Sequence, residues 1–190
     1  MFLIKKILQI PSGIYNYLCV KIKHVKHGKN LQLNGLVKFH GSGSFIFGEN
    51  VTINSDPDIN PSAGGMRSHL ACKEGAVLKI GDHVGISLCA ITAANSVVIE
   101  DDVLIGSNCM ITDTDFHSID FEKRNSPNDD TVKTAPVLIK KGVFIGARSI
   151  ILKGVTIGEY SVIGAGSVVT KSVPNGEIWG GNPAKFIKKL

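Results

Sequence analysis

The residue best suited to chemistry in this chain is His117, which lies in the polar run TDTDFHS at residues 112–118. An imidazole can take a proton from an alcohol near neutral pH, because its ordinary pKa is about 6.5. A carboxylate or carbonyl of Asp113 or Asp115 could fix the tautomer through the second ring nitrogen. An isolated histidine in a polar loop is usually a solvated surface residue. His117, however, opens the one long interruption of a regular sequence pattern, and this position favours a general base.

The regular pattern repeats every six residues and is cleanest between residues 139 and 174. Neither an amphipathic helix, with a period of 3.6, nor a half-buried strand, with a period of two, fits it. A hexad predicts one short strand and one tight corner per repeat, stacked as a parallel β-helix. We expect the residue that opens each hexad to fill the core, and the glycine that follows three of them to let the backbone turn where a side chain would clash. The opening residues are Ile139, Ile145, Ile151, Ile157, Ile163 and Val169, and the glycines are Gly146, Gly158 and Gly164.

The same period continues upstream of the interruption with one irregularity. One extra residue is expected between Ala93 and Val98, and a long polar loop is predicted at about residues 113–137. Insertions of this kind in repeat proteins often form the binding site. The pattern divides the chain into an N-terminal segment at residues 1–38 and a β-helix domain at residues 39–190. The upstream hexads open at Ile80, Ile86, Ile99, Ile105 and Ile111, with Val84, Ala90, Val103 and Cys109 at small interior positions.

Length and composition indicate a single domain of ordinary size. The chain has 190 residues, is 43% hydrophobic and carries a net charge of +5. Lysine clusters at residues 21–29 and 185–189 suit an anionic cofactor or a membrane surface, or are simply a solvated face. No nucleic-acid-binding motif accompanies the charge, so we expect no nucleic-acid partner. The four cysteines show no CxxC pairing and predict reduced thiols in a cytoplasmic protein.

The first 28 residues have two interpretations. Lys5, Lys6 and Pro11 interrupt their apolar runs, so no run reaches the roughly 18 residues that a membrane span needs. A small-residue cleavage site typical of a signal peptide is also missing. Two short amphipathic pieces that cap the open end of the solenoid are the first interpretation. Peripheral docking on a membrane is the second.

The hexads, the His117 loop and the closing run IWGGNPAKFIKKL together resemble the hexapeptide-repeat acetyltransferases. The similarity covers about residues 40–190 and is greatest to the galactoside, maltose and streptogramin O-acetyltransferases and to enzymes that modify cell-surface polysaccharides. It implies a left-handed coil with three hexads per turn, and hence roughly four to five coils. General chirality rules favour right-handed crossovers, so the hand comes from the resemblance alone. The resemblance also implies acetyl-CoA as cosubstrate, no metal, and a homotrimer with active sites between subunits.

The resemblance also assigns roles to individual residues. It implies His117 as the general base and the Ala147 N–H as a donor to the thioester oxyanion. Trp179 either flanks the pantetheine arm or anchors the tail between coils. Lys185 stands where close relatives have an arginine near the nucleotide phosphates. The other implied cofactor contacts are Ala165, Gly166, Thr170 and Lys171, and the implied acceptor contacts are Ser87, Asp113 and the segment Met66–His69.

The predicted function is transfer of an acetyl group from acetyl-CoA to a sugar hydroxyl. We expect this reaction in bacterial cell-surface polysaccharide biosynthesis, in the cytoplasm or at the inner face of the membrane, because the N-terminal segment and basic ends suit such a location. An antibiotic acceptor and a non-catalytic scaffold are the alternatives. A γ-type carbonic anhydrase of the same fold is disfavoured, because it needs three zinc-binding histidines and this chain has Glu122 where the second is required.

Overall fold

The computed structural model describes residues 2–59, 66–126 and 131–190, and for residues 2–10 it describes the backbone alone. A helix precedes a series of short strands, which wind into six coils of three strands each. The helix is α1 (Phe2–Ile22), and the coils are β1 (Lys26–His27), β2 (Gln32–Gly35), β3 (Lys38–His40); β4 (Ser44–Phe47), β5 (Thr52–Ser55), β6 (His69–Cys72); β7 (Val77–Ile80), β8 (Gly85–Ser87), β9 (Ala90–Ala93); β10 (Ser96–Ile99), β11 (Leu104–Ile105), β12 (Met110–Thr112); β13 (Val137–Ile139), β14 (Phe144–Ile145), β15 (Ile150–Ile151); and β16 (Thr156–Ile157), β17 (Val162–Ile163), β18 (Val168–Val169). A short helix α2 (Phe121–Arg124) lies between β12 and β13, and β19 (Glu177–Gly181) and β20 (Ala184–Lys189) follow the last coil.

Strands one coil apart pair in parallel, so the solenoid has three faces. The first sheet contains the first strand of every coil, the second sheet the second strand, and the third sheet the third strand. β19 joins the second sheet beside β17, and β20 returns antiparallel to β19 as a hairpin. The predicted all-β solenoid is confirmed. The described residues form six coils rather than four to five, because the first coil begins at Lys26, before the clean hexads.

The core is a stack of aliphatic ladders, one for each sheet. In the first sheet Ile139 pairs with Ile99 below and Ile157 above. In the third sheet Ile151 pairs with Ile111 and Val169. These side chains are fully buried, as the hexad pattern predicts. Full burial of one aliphatic side chain contributes about 1.5–3 kcal/mol, so the ladders contribute strongly to the stability of the solenoid.

Gly146 and Gly158, which follow core isoleucines, lie where a side chain would clash, as expected, whereas a Cβ on Gly164 would meet no atom closer than 3.5 Å. A Cβ on Gly146 would lie 2.5 Å from the backbone nitrogen of Ala165 on the next coil, and its φ is not positive. Close stacking of coils, rather than the turn itself, therefore excludes a side chain there. The left-handed residue of the corner comes two positions later, at Arg148 (φ 62°).

The upstream irregularity adds one residue, as expected, but it combines one short spacing with one long spacing. Ile86 and the next core residue, Ile91, are five residues apart, and Cys89 rather than Ala90 fills the interior position between them. The distance from Ile91 to Ile99 is then eight residues, because the corner between β9 and β10 is longer. Asp113 stabilises this longer corner, as described below.

The N-terminal segment forms one helix, α1, rather than two short pieces. Asn16, near its middle, is almost fully buried against the first coil. Its side-chain amide donates to the carbonyls of Leu33 (3.2 Å) and Gly35 (2.7 Å), and its oxygen accepts from the Val37 N–H (3.1 Å). These bonds satisfy backbone groups of β2 and the residues after it, so one face of α1 covers the open end of the solenoid.

Candidate active site

The long insertion leaves the solenoid between β12 and β13, at residues 113–136, as predicted. Its two ends run side by side, because Thr114 bridges Thr134 in antiparallel fashion and the Ala135 N–H donates to the Asp113 carbonyl (2.9 Å). The Asp115 N–H donates to the Lys133 carbonyl (3.1 Å). These contacts form a stem that fixes where the rest of the insertion begins.

His117 lies just beyond this stem and is exposed. Its N–H donates to the Asp115 carbonyl (2.7 Å), and Phe116 before it has a left-handed backbone (φ 64°). Such a conformation costs energy in a residue with a bulky side chain and is commonly found at functional sites. The His117 imidazole has no hydrogen-bond partner within residues 2–59, 66–126 and 131–190, so both ring nitrogens are available to a ligand.

Asp113, by contrast, is fully buried. One carboxylate oxygen accepts from the Ala94 N–H (2.7 Å), and the other accepts from the N–H groups of Asn95 and Ser96 (2.7 Å each). The expectations that Asp113 orients His117 or contacts the acceptor do not fit this geometry, because both oxygens are engaged inside the solenoid. Its role is to hold the long corner between β9 and β10.

Asp115 connects the His117 loop to the next coil. Its Oδ1 accepts a hydrogen bond from Lys153 Nζ at 2.6 Å, and both side chains are about one-third exposed. Lys153 lies in the corner after β15, whereas Asp115 precedes His117 by two residues. Sequence reasoning missed Lys153, because nothing in the spacing shows that these two residues meet.

The edge between the second and third sheets carries a row of backbone donors. The N–H groups of Ser107, Ala147 and Ala165 occupy the same position in three successive coils, and none donates to an acceptor within the described residues. Stacked strands are about 4.8 Å apart, so the three donors form a line parallel to the solenoid axis. Gly166, which is exposed, follows Ala165 on this edge. Such a line suits an extended ligand that has several carbonyl groups.

Ser87 lies on the same edge, two coils before Ala147. It pairs with Asn54, and Asn54 pairs with Asn34, across three coils of the second sheet. Asn34 Nδ2 donates to Asn54 Oδ1 (2.9 Å), and Asn54 Nδ2 approaches Ser87 Oγ (3.4 Å). Ser87 was predicted from the resemblance, whereas Asn34 and Asn54 were not, although their spacing of 20 residues could have indicated a polar ladder.

Four of the predicted cofactor residues surround one cavity at the C-terminal end. It has a volume of about 250 Å³ and is lined by Thr170, Lys171, Trp179 and Lys185, with Pro183, Ala184 and Phe186 completing it. The Trp179 Nε1–H donates to Glu177 Oε2 (2.8 Å), which fixes the indole against β19. Two lysines give this cavity a positive charge, so an anionic ligand is favoured.

The structure therefore groups most of the predicted residues but leaves His117 apart. Ser87, Ala147 and Ala165 share the edge between the second and third sheets. His117 follows β12, and so it leaves at the edge between the third and first sheets. Within residues 2–59, 66–126 and 131–190, no group of three or more His, Cys, Asp or Glu side chains is arranged to hold a metal ion.

Comparisons with known proteins agree with this architecture. The family model described as bacterial transferase hexapeptide (six repeats) matches residues 136–171, and the hexapeptide repeat of succinyl-transferase matches residues 96–114. WbbJ of Escherichia coli (strain K12), a candidate lipopolysaccharide biosynthesis O-acetyl transferase, is 35% identical over 153 residues, which are 77% of this chain and 72% of that protein. A candidate acetyltransferase of Schizosaccharomyces pombe is 44% identical over 94 residues, and the chain spans only 44% of its length.

Solved structures extend the comparison to ligands. A hexapeptide-repeat acetyltransferase of Vibrio cholerae, complexed with acetyl coenzyme A, is 26% identical with a TM-score of 0.55, over 85% of this chain and 72% of the other. An N-acyltransferase of Bacillus cereus, AntD, in complex with dTDP and coenzyme A, is 27% identical with a TM-score of 0.68, over 86% and 83% of the two chains.

Proposed function

Since this chain belongs to the hexapeptide-repeat acetyltransferases, whose coil is a left-handed β-helix, we propose that it transfers an acetyl group from acetyl-CoA to a sugar hydroxyl. The observation that carries the proposal is the cationic cavity at the C-terminal end, where Thr170, Lys171, Trp179 and Lys185 converge. The acetyl-CoA complex of the Vibrio cholerae relative supports the choice of cosubstrate.

The cofactor is proposed to extend from the C-terminal cavity along the edge between the second and third sheets. Its phosphates contact Lys171 and Lys185, and its pantetheine arm runs past Gly166 and Ala165 with its carbonyl groups on the free N–H row. The Ala147 N–H then faces the thioester. A backbone donor at that point stabilises the negative charge that develops on the thioester oxygen as the acceptor attacks.

His117 is proposed to act as the general base. It removes the proton from the acceptor hydroxyl, the hydroxyl oxygen attacks the thioester carbon, and the protonated imidazole returns the proton to the sulfur of CoA. His117 and Ala147 lie on different edges of one chain, so His117 has to meet the thioester of a neighbouring subunit. We therefore propose a homotrimer with its active sites between subunits.

A sugar in cell-surface polysaccharide biosynthesis is the proposed acceptor. WbbJ, by its name, acts in lipopolysaccharide biosynthesis, and variants of AntD have been solved with dTDP and with dTDP-4-amino-4,6-dideoxyglucose. The ladder of Ser87 and Asn54 presents hydroxyl and amide groups at the edge where the thioester is proposed to lie. Such groups both donate to and accept from sugar hydroxyls. We place the reaction in the cytoplasm, where the four cysteines stay reduced.

The test is a thiol-release assay with acetyl-CoA and a panel of nucleotide-linked sugars and oligosaccharides. His117→Ala is expected to lower turnover by at least about 100-fold, the usual contribution of a general base. CoA binding, measured by calorimetry, and the sedimentation coefficient are expected to stay unchanged. His83→Ala, at another exposed histidine, is the matched control. Activity of His117→Ala within about threefold of the parent would reject His117 as the base. Failure to bind CoA would reject the whole proposal.

A further inference from the structure

Charge is divided unequally along this chain. The first 48 residues contain seven lysines and no aspartate or glutamate, whereas residues 49–190 contain 14 basic and all 16 acidic residues. The fold places the first 48 residues at one end, in α1, the first coil and β4. The N-terminal end of the solenoid is therefore strongly positive, although the chain as a whole carries only a mild charge.

The described part of α1 has two faces with different environments. Asn16, Cys19 and Val20 face the first coil, where Cys19 and Val20 pack against the core. Ile14, Leu18 and Ile22 are spaced by four residues and so lie on one face. They are 58%, 50% and 70% exposed, and we call them the outer stripe. The helix therefore presents apolar side chains on the face that it does not use for packing.

Cations and a tyrosine border the outer stripe. Lys21 Nζ lies over the Tyr17 ring, 5.8 Å from its centroid, and Tyr17 is itself exposed. Lys23, His24 and Lys26 line a cavity of about 250 Å³ at the end of the helix, together with Ser42, Gly43, Ser44, Phe45 and Ile46. An apolar stripe beside lysines and a tyrosine is the pattern of a helix that lies in the interface of a membrane.

We propose that the outer stripe docks on the surface of an anionic lipid bilayer. Ile14, Leu18 and Ile22 enter the boundary between headgroups and acyl chains, while Lys21 and Lys26 contact lipid phosphates. The proposed contact is peripheral. Within the described residues no helix is long and apolar enough to cross a membrane. This inference does not depend on the proposed acetyl transfer.

Charge favours an anionic bilayer, rather than a second copy of the chain, as the partner of the outer stripe. Two copies joined through the outer stripe would bring two sets of lysines together without an acidic residue from the same region to compensate them. Like charges facing each other across an interface are strongly unfavourable. Anionic headgroups supply the missing negative charge, whereas a second copy adds positive charge.

The experiment is co-sedimentation of the full chain with vesicles of phosphatidylcholine mixed with phosphatidylglycerol, and with vesicles of phosphatidylcholine alone. We expect binding to the anionic vesicles that weakens as salt rises. Leu18→Ser/Ile22→Ser is expected to weaken it roughly ten-fold or more, and Lys21→Gln/Lys26→Gln to weaken it and reduce its response to salt. Leu190→Ser and Lys189→Gln, exposed at the opposite end, are the matched controls and are expected to bind as the parent does.

Each other outcome overturns the inference. If the parent fails to bind anionic vesicles, or if the Leu190→Ser control loses as much binding as the stripe variant, the stripe is not a membrane contact. If Leu18→Ser/Ile22→Ser instead lowers the molecular mass in analytical ultracentrifugation without a change in vesicle binding, the stripe joins copies of the chain. Urea unfolding of the variants shows that the fold is retained. Acetyl transfer to a soluble acceptor is expected to be the same in all of them.

Discussion

Replacement of Asp113 by asparagine tests whether this residue supports the fold or contacts a ligand. The change keeps the size of the side chain but removes its charge and converts one acceptor oxygen into a donor. In the parent, the two oxygens accept three backbone N–H bonds of 2.7 Å from residues 94–96. An asparagine can at best keep the pair of bonds from Asn95 and Ser96, and its amide nitrogen then faces the Ala94 N–H.

The expected loss follows from these bonds. A hydrogen bond to a charged group contributes about 1.5–3 kcal/mol, and a neutral one about half as much. Asp113→Asn loses one bond and weakens two, while the exposure of Asn95 lets water replace part of the loss. We therefore expect the free energy of unfolding to fall by about 2–4 kcal/mol. Asp113→Ala, which removes all three bonds, is expected to cost more.

Urea unfolding at neutral pH measures this loss as a lower midpoint with an unchanged slope. Amide hydrogen exchange at residues 94–96 should accelerate in the same variant, because those N–H groups lose their acceptor. Asp115→Asn, whose side chain lies outside the corner, serves as the control and should leave exchange at residues 94–96 unchanged. If Asp113→Asn keeps the stability of the parent but raises the Michaelis constant for the acceptor, the structural role is wrong and acceptor binding is right.

Two further predictions concern the cofactor and the His117 loop. Lys171→Ala/Lys185→Ala should raise the Michaelis constant for acetyl-CoA several-fold and make it less sensitive to salt, with turnover nearly unchanged, because exposed lysine–phosphate contacts contribute only about 1 kcal/mol each. A fall in turnover at a constant Michaelis constant would contradict this cofactor path. Lys153→Met should lower turnover about 3- to 10-fold without affecting CoA binding, because it frees the loop that positions His117. Lys153→Arg should restore most of the activity, and equal losses in both variants would argue against a positioning role.

Where the hexads are regularly spaced, they predicted each core residue correctly. Where the spacing changes, the predicted core positions were wrong. From Ile139 to Val169 every opening residue is buried. The spacing of residues along the chain shows the length of the repeat, but it does not show which side chains and backbone groups of different coils contact each other. The partners of the Asp113 carboxylate are 17–19 residues earlier, at the corner between β9 and β10, so Asp113 looked like a loop residue. The same limit concealed the Asp115–Lys153 contact, which joins residues 38 positions apart.

The candidate site was predicted only in part, because sequence spacing does not show contacts between coils. Thr170, Lys171, Trp179 and Lys185 were assigned by resemblance, and the structure gathers them around one cavity because the hairpin of β19 and β20 returns beside β18. Sequence alone could not show that His117 and Ala147 lie on different edges, since that depends on how many strands each coil has. The placement of His117 as base and of Ala147 as oxyanion donor stays a prediction.

The same repeat unit gives one edge with capped corner N–H groups and one edge with uncapped corner N–H groups, depending on one side chain. At the edge between the first and second sheets, a carboxylate or amide of the next coil caps the free corner N–H: Asp82 accepts from Glu49, and Asp101 accepts from Asp82. At the edge between the second and third sheets, the matching N–H groups of Ala147 and Ala165 have no such cap within the described residues. Ala147 and Ala165 have only a methyl group where Asp82 and Asp101 have a carboxylate, so they cannot cap the N–H of the preceding coil. The proposed binding edge therefore coincides with the place where the capping side chain is missing, and we expect a ligand rich in carbonyl groups to replace that side chain.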